Sequence, residues 1–181
     1  MGNFSARTAE QMKKRSNELS LRQDTKTIYF LLDGMLGSLA RWLRIGGYDT
    51  EYRKDSDDDL LLEEAKNSKR ILLTKDESLS ARARKIGVHS IYLHGNSDEL
   101  NLSQLVSELG LTFNPNESRC PRCNYQLSFV DKDKVVNRVP ERTFRAFNEF
   151  WLCERCGGIY WRGSHWPKII ETLENASNKH S

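Results

Sequence analysis

Long apolar runs are missing from this sequence of 181 residues. A membrane-spanning helix needs about 20 consecutive, mostly apolar residues, and no segment comes near that. The opening residues have no apolar core either, which argues against a secretory leader. The glycines do not form a Walker loop or the glycine fingerprint of a dinucleotide fold, so nucleotide binding of those kinds is not expected. No serine stands on a nucleophile elbow; Ser38, just past the first apolar run, falls inside a predicted helix. A large excess of one charge is also missing, with 28 Lys and Arg against 25 Asp and Glu. Cysteine is scarce, and all four lie in two Cys-x-x-Cys pairs. That pattern belongs to metal binding in a reducing compartment rather than to a disulfide framework. A soluble, cytoplasmic protein without membrane attachment is the expectation.

The charge is uneven along the chain. Residues 1–26 carry six basic and three acidic groups, residues 27–116 eleven and fourteen, and residues 117–168 ten and six. An acidic centre with basic flanks suits a protein that holds cations centrally and meets a polyanion at its margins, although a solvated surface has the same composition.

Residues 1–26 read as a basic, flexible extension with no assigned chemistry. From Thr27 the pattern alternates. Strands are expected at Ile28–Leu32, Tyr48–Tyr52, Arg70–Thr74 and Val88–Leu93. Helices are expected at about Leu36–Arg44, Ser56–Ser68, Asp76–Ile86 and Asp98–Leu109. This is the pattern of an α/β domain, 27–114, with a parallel sheet covered on both faces. Asn114-Pro115-Asn116 marks a boundary to a second module, 115–176, of hairpin-like segments ending in a helix at about Pro167–Asn175, with a polar tail at 177–181.

Within the first domain the stretch Ile28–Arg44 stands out. A run buried on both faces of a sheet ends at Asp33-Gly34, and then Leu36, Leu39, Ala40 and Leu43 take up helical spacing. Asp33 is thereby expected at the C-terminal edge of the sheet, where open α/β sheets bind ligands. Asp76 follows the third strand in the same way. Asp58 precedes Leu61, Leu62 and Ala65 by three, four and seven residues, so it shares their inward side, whereas Asp59 faces solvent. Each carboxylate has a simpler reading: Asp57, Asp58 and Asp59 suit a helix N-terminus, Asp76 suits an N-cap, and Asp33-Gly34 suits a turn. Three carboxylates at one edge repel one another, and a hard cation offsets that cost. Magnesium or manganese fits oxygen ligands and bridges to phosphate, so metal-assisted phosphodiester hydrolysis is the economical chemistry for Asp33, Asp58 and Asp76.

Cys120-Pro-Arg-Cys123 and Cys153-Glu-Arg-Cys156 supply four thiolates as two knuckles, the donor set of a structural zinc. Around them arginines such as Arg122 and Arg162 alternate with Phe150, Trp151, Trp161 and Trp166. This composition suits single-stranded nucleic acid, and equally the small core of a zinc ribbon. His165 is either a phosphate contact or a packed side chain.

The segments Leu32-Asp33-Gly34-Met35-Leu36-Gly37-Ser38-Leu39-Ala40-Arg41-Trp42-Leu43-Arg44, Gly47-Tyr48-Asp49-Thr50, Leu73-Thr74-Lys75-Asp76, Cys120-Pro121-Arg122-Cys123, Phe150-Trp151-Leu152-Cys153 and Tyr160-Trp161-Arg162-Gly163-Ser164-His165-Trp166 resemble the Mut-seven C-terminal RNase family. That family joins a PIN-like nuclease domain to a zinc ribbon. The resemblance implies a PIN-like three-layer α/β/α domain, divalent-metal-dependent cleavage of RNA, and Asp33, Asp58 and Asp76 as the catalytic metal ligands. The expected nucleic-acid contacts are Arg41, Arg44, Lys75, Arg162, His165 and Trp166, with RNA as partner. A non-catalytic RNA- or ribosome-associated factor is the alternative, and a homo-oligomer or ribonucleoprotein partner is left open. Two departures stand out: Lys75 replaces the usual arginine, losing its bidentate geometry, and no fourth acidic ligand is matched.

Overall fold

A computed structural model describes residues 28–178. The expected extension over 1–26 lies outside the described residues. Strands β1 (Tyr29–Leu32), β2 (Asp49–Tyr52), β3 (Ile71–Thr74) and β4 (Ser90–Tyr92) form one parallel sheet in the order β2-β1-β3-β4. Helices α1 (Gly37–Ile45), α2 (Asp58–Ser68), α3 (Glu77–Lys85) and α4 (Asp98–Leu109) alternate with them.

Neighbouring residues of each central strand point to opposite faces, and both faces are packed. Phe30, Leu32 and Leu73 join Leu39, Leu43, Leu102 and Leu105 in one core beneath α1 and α4. Leu31 and Leu72 join Leu61, Leu62, Ala65, Leu79 and Ala83 in another beneath α2 and α3. β1 is an unbroken apolar run because neither of its faces meets water. Each fully buried leucine is worth roughly 1.5–3 kcal/mol of transfer free energy, so the two cores set the stability of this three-layer α/β/α unit. Gly110, at φ 65°, ends α4 in the left-handed conformation that glycine adopts without a Cβ penalty.

Past a 3-10 turn at Pro115–Glu117, three short strands, β5 (Ser128–Val130), β6 (Phe150–Leu152) and β7 (Ile159–Tyr160), make an antiparallel sheet. Val130, Val135 and Phe150 form its small core, with Phe144, Phe147 and Trp161 packed against them. The insertion between β5 and β6 contains a short helix, α5 (Glu141–Ala146), which the hairpin pattern did not anticipate. The terminal helix α6 runs over Trp166–Asn178, three residues beyond its expected end. Although it follows the ribbon in sequence, its Leu173 and Ala176 are buried in the core beneath α1 and α4. The chain therefore leaves the α/β unit, builds the ribbon and returns.

The ribbon's first knuckle is fastened to β2, an edge strand of the sheet. Asn124, held at φ 67° just after Cys123, is buried. Its side-chain carbonyl accepts from Thr50 N (2.9 Å), and its amide donates to Asp49 Oδ1 (2.9 Å) and Glu51 Oε1 (3.1 Å). Arg119 adds an ion pair to Asp49 Oδ2 at 3.0 Å.

Candidate active site

The order β2-β1-β3-β4 places the topological switch point between β1 and β3, since the connections from these strands diverge to opposite sides. Ligands of open α/β sheets bind at the carboxyl ends of strands at such a point. Leu32 of β1 lies beside Leu73 of β3 in register, so Asp33 and Thr74 are the next pair. Asp33 is only 7% exposed. Its Oδ1 accepts the Met35 backbone N–H at 3.1 Å, closing the turn into α1, and its Oδ2 accepts a short hydrogen bond from the Thr74 hydroxyl. Thr74 Oγ1 in turn accepts the Asp76 backbone N–H at 2.9 Å. Gly34 allows this turn its shape: a Cβ there would stand 2.2 Å from the Lys54 carbonyl oxygen.

Asp76 does act as the N-cap of α3, its Oδ1 accepting from Leu79 N at 2.9 Å. The helix-capping role and a place at the sheet edge thus coincide. Asp58 opens α2, and its Oδ2 accepts from Arg82 of α3 at 3.0 Å; the same guanidinium also pairs with Asp59. Asp58 is the less exposed of the two, with side-chain exposures of 46% against 85% for Asp59, the order that helix periodicity predicts. Asp33, Asp58 and Asp76 do not gather into one ligand cluster; among the described residues the four cysteines do, with their sulfurs within 4.8 Å of one another.

Two groups at this edge escaped the sequence reading. Thr74's signal in the sequence is a hydroxyl residue ending an apolar strand two positions before an aspartate. Asp98, in the first turn of α4, accepts from Ser38 Oγ at 2.5 Å, which brings a further carboxylate beside the start of α1. Its signal was its place after the fourth strand.

The expected nucleic-acid contacts separate. Arg41 is exposed on α1, Lys75 is half-buried beside Asp76, and His165 is exposed rather than packed. Arg44 is corrected: it is buried, with Nε donating to Thr50 O at 2.9 Å and Nη1 to Pro121 O at 3.0 Å. It clamps the first knuckle to α1 and β2 and faces no open surface. Burial lowers its pKa, opposed chiefly by the Glu51 charge, and the guanidinium stays protonated in any case.

The hard-oxygen donors at the sheet edge fit magnesium or manganese in type, since each carboxylate keeps free lone pairs beyond the hydrogen bonds described. The thiols fit zinc in both type and spacing. Zn–S bonds of about 2.3 Å put tetrahedral sulfurs about 3.8 Å apart, and here Cys120–Cys156 and Cys123–Cys153 stand at 3.6 and 3.3 Å. Burial pushes Cys123 up to about 12 and also raises Cys153. Cys120 is raised by burial too, but the Tyr160 hydroxyl, 3.1 Å away, and the backbone N–H groups of Cys123 and Arg122 outweigh it and draw the thiol down to about 6.

A three-layer α/β/α domain with an aspartate at its switch point, carrying a four-thiol ribbon, is thus the class of protein defined by the fold. The Mut7-C RNAse domain model matches residues 28–173, and the chain belongs to that family. Its function is accordingly of the ribonuclease type, with RNA as the implied substrate. No curated protein and no solved structure matches the chain significantly. No described helix is long and apolar enough to cross a membrane.

Proposed function

We propose that this chain is a PIN-like, metal-dependent ribonuclease that hydrolyses RNA phosphodiester bonds internally at the C-terminal edge of its parallel sheet. The observation that carries this is the chain of contacts Asp33–Thr74–Asp76 across the switch point. Magnesium or manganese would be held directly by one or two of Asp33, Asp76 and Asp58 and through its own waters by the rest, as such cations commonly are. When bound, such a cation supplies Lewis acidity and lowers the pKa of a coordinated water. The protein's own groups do the positioning. Thr74 fixes the carboxylate of Asp33, the α3 N-terminus fixes that of Asp76, and Arg41 and Lys75 offer cations to the RNA backbone on either side. Zinc in the four-thiol site would keep the ribbon folded, and the ribbon aids RNA or partner binding.

Asp33→Asn, assayed on RNA with manganese present, tests the proposal. Loss of cleavage with the fold retained is expected, as is loss when the catalytic metal is withheld from the wild-type chain; unchanged cleavage in Asp33→Asn would refute it. One observation favours the alternative, a non-catalytic RNA-associated factor: Arg82 already neutralises Asp58 and Asp59. That role predicts salt-dependent RNA binding with no cleavage under any metal.

A further inference from the structure

The ribbon carries an aromatic cleft whose Phe129 and Trp151 lie on the sheet face away from its Val130–Phe150 core. Phe129, Trp151 and Tyr160 are cross-strand neighbours on β5, β6 and β7, so they lie in a row across one face of the sheet, while Val130 and Phe150 pack on the other. Phe129 is 61% exposed and meets Trp151 edge-on at 6.2 Å between ring centroids. Arg162 lies 5.0 Å from the ring centroids of both Trp151 and Trp166. Its Nη2 donates to Asn116 Oδ1 at 2.8 Å. These residues line a cleft of about 120 Å³. An engineered apolar cavity of about 150 Å³ holds one benzene, so the space here matches a single aromatic ring.

An open row of aromatic side chains across a small antiparallel sheet is a stacking platform for unpaired bases. A guanidinium within cation–π range of two indoles is placed for the phosphate or the edge of the same nucleotide. The surrounding segment is basic: residues 117–168 hold ten Lys and Arg against six Asp and Glu.

The position of the cleft adds a constraint. The linker and first knuckle attach at the amino ends of the strands, through Ser118 to Ile45 O and Arg119 to Asp49. Asp33 sits at the carboxyl ends. Tyr29 and Asp33 are four residues apart along β1, so the two ends are separated by about 13 Å, farther than one nucleotide reaches.

Resting on the ribonuclease proposal above, we infer that the Phe129–Trp151–Arg162 cleft binds one base of a single-stranded RNA segment, anchoring it several nucleotides away from the bond that Asp33 addresses.

The test uses the full-length, zinc-loaded Asp33→Asn chain without magnesium or manganese, so that binding is read apart from cleavage. The probes are a short fluorescent oligouridylate and an abasic oligonucleotide of equal length. The base-containing strand is expected to bind about tenfold more tightly, the scale of one stacked base. Trp151→Ala or Arg162→Ala in the same background should remove that difference, and Trp151→Phe should keep most of it. Zinc content checks each variant; if Trp151→Ala loses the metal, the exposed Phe129→Ala decides in its place. Equal binding of the two probes, or base-dependent binding untouched by these variants, overturns the inference. Wild-type chain that binds in this way yet never cuts RNA would refute the nuclease proposal and leave the base site standing; cleavage with no base-dependent binding would do the reverse.

Discussion

The Thr74 hydroxyl donates to Asp33 Oδ2, joining the ends of β1 and β3 at the point where the sheet's connections diverge. Both side chains are buried, so this hydrogen bond fixes the direction in which the Asp33 carboxylate presents its remaining lone pairs. Thr74→Val keeps the shape and removes the donor. RNA cleavage is expected to fall about 10- to 100-fold, as when a partner of a metal ligand is lost, and Thr74→Ser should restore most of it. Single-turnover cleavage assays with circular dichroism as the fold control would check this; a Val variant as active as wild type would remove Thr74 from the site.

Arg82 competes with any cation for Asp58 and Asp59. The pair is substantially exposed, so it is worth only about 0.2–1 kcal/mol. Arg82→Gln should therefore lower the manganese concentration needed for half-maximal cleavage modestly, by about two- to fivefold. A metal titration of activity measures it. An increased requirement would mean that Arg82 helps the site.

Arg44 is a structural clamp, and its loss should register as stability. Arg44→Ala leaves the carbonyls of Thr50 and Pro121 without this donor and is expected to cost about 3 kcal/mol in urea denaturation. Arg44→Lys should recover only part, because an ammonium cannot reproduce the fork.

Acid should loosen the ribbon from the sheet. Burial alone would raise the Asp49 carboxyl, but hydrogen bonds from Asn124 and Arg70 and the charges of Arg70 and Arg119 outweigh it and hold its pKa below the ordinary carboxylate value. A group with a depressed folded pKa contributes stability that is complete above its unfolded pKa, about 3.9, and that is lost as pH falls through the folded value. Glu51 is shifted in the same direction. Unfolding free energy should thus decline below about pH 5, and Asp49→Asn should flatten that decline while lowering stability at neutral pH.

Metal removal should unfold the ribbon selectively. Its core is small, and modules of this kind depend on their metal. One zinc per chain is expected on release by a thiol-modifying reagent, with loss of the near-ultraviolet signal from Trp151 and Trp161. Far-ultraviolet helicity should largely persist, since α1 to α4 pack in their own cores. Cys120→Ser should show the same spectrum without treatment.

The α/β alternation was legible because unbroken apolar runs and stripes of period 3.6 follow each other between clear stops, as at Leu32, Asp33 and Leu36. Asp58 was separable from Asp59 by helix geometry alone. The docking of the knuckle was not legible, since it depends on Asn124 meeting Thr50, 74 residues away, and no local pattern encodes such a pairing. Arg44 misled for a related reason. It lies four residues after Ala40, on the buried side, but a cation three residues after the exposed Arg41 reads as solvent-facing until its carbonyl partners are known. The return of α6 was hidden because its apolar stripe shows that it packs without showing on what.

Asn124 also does for β2 what a neighbouring strand would do. It occupies the backbone N–H of Thr50 on the outer side of an edge strand, and it is held there by the turn that follows Cys123. Edge strands with free backbone groups are templates for pairing with other chains. A metal held at Cys123 would therefore shield β2 against strand-to-strand pairing, and a metal-depleted chain would expose that edge while the helices of the α/β unit stay packed in their own cores.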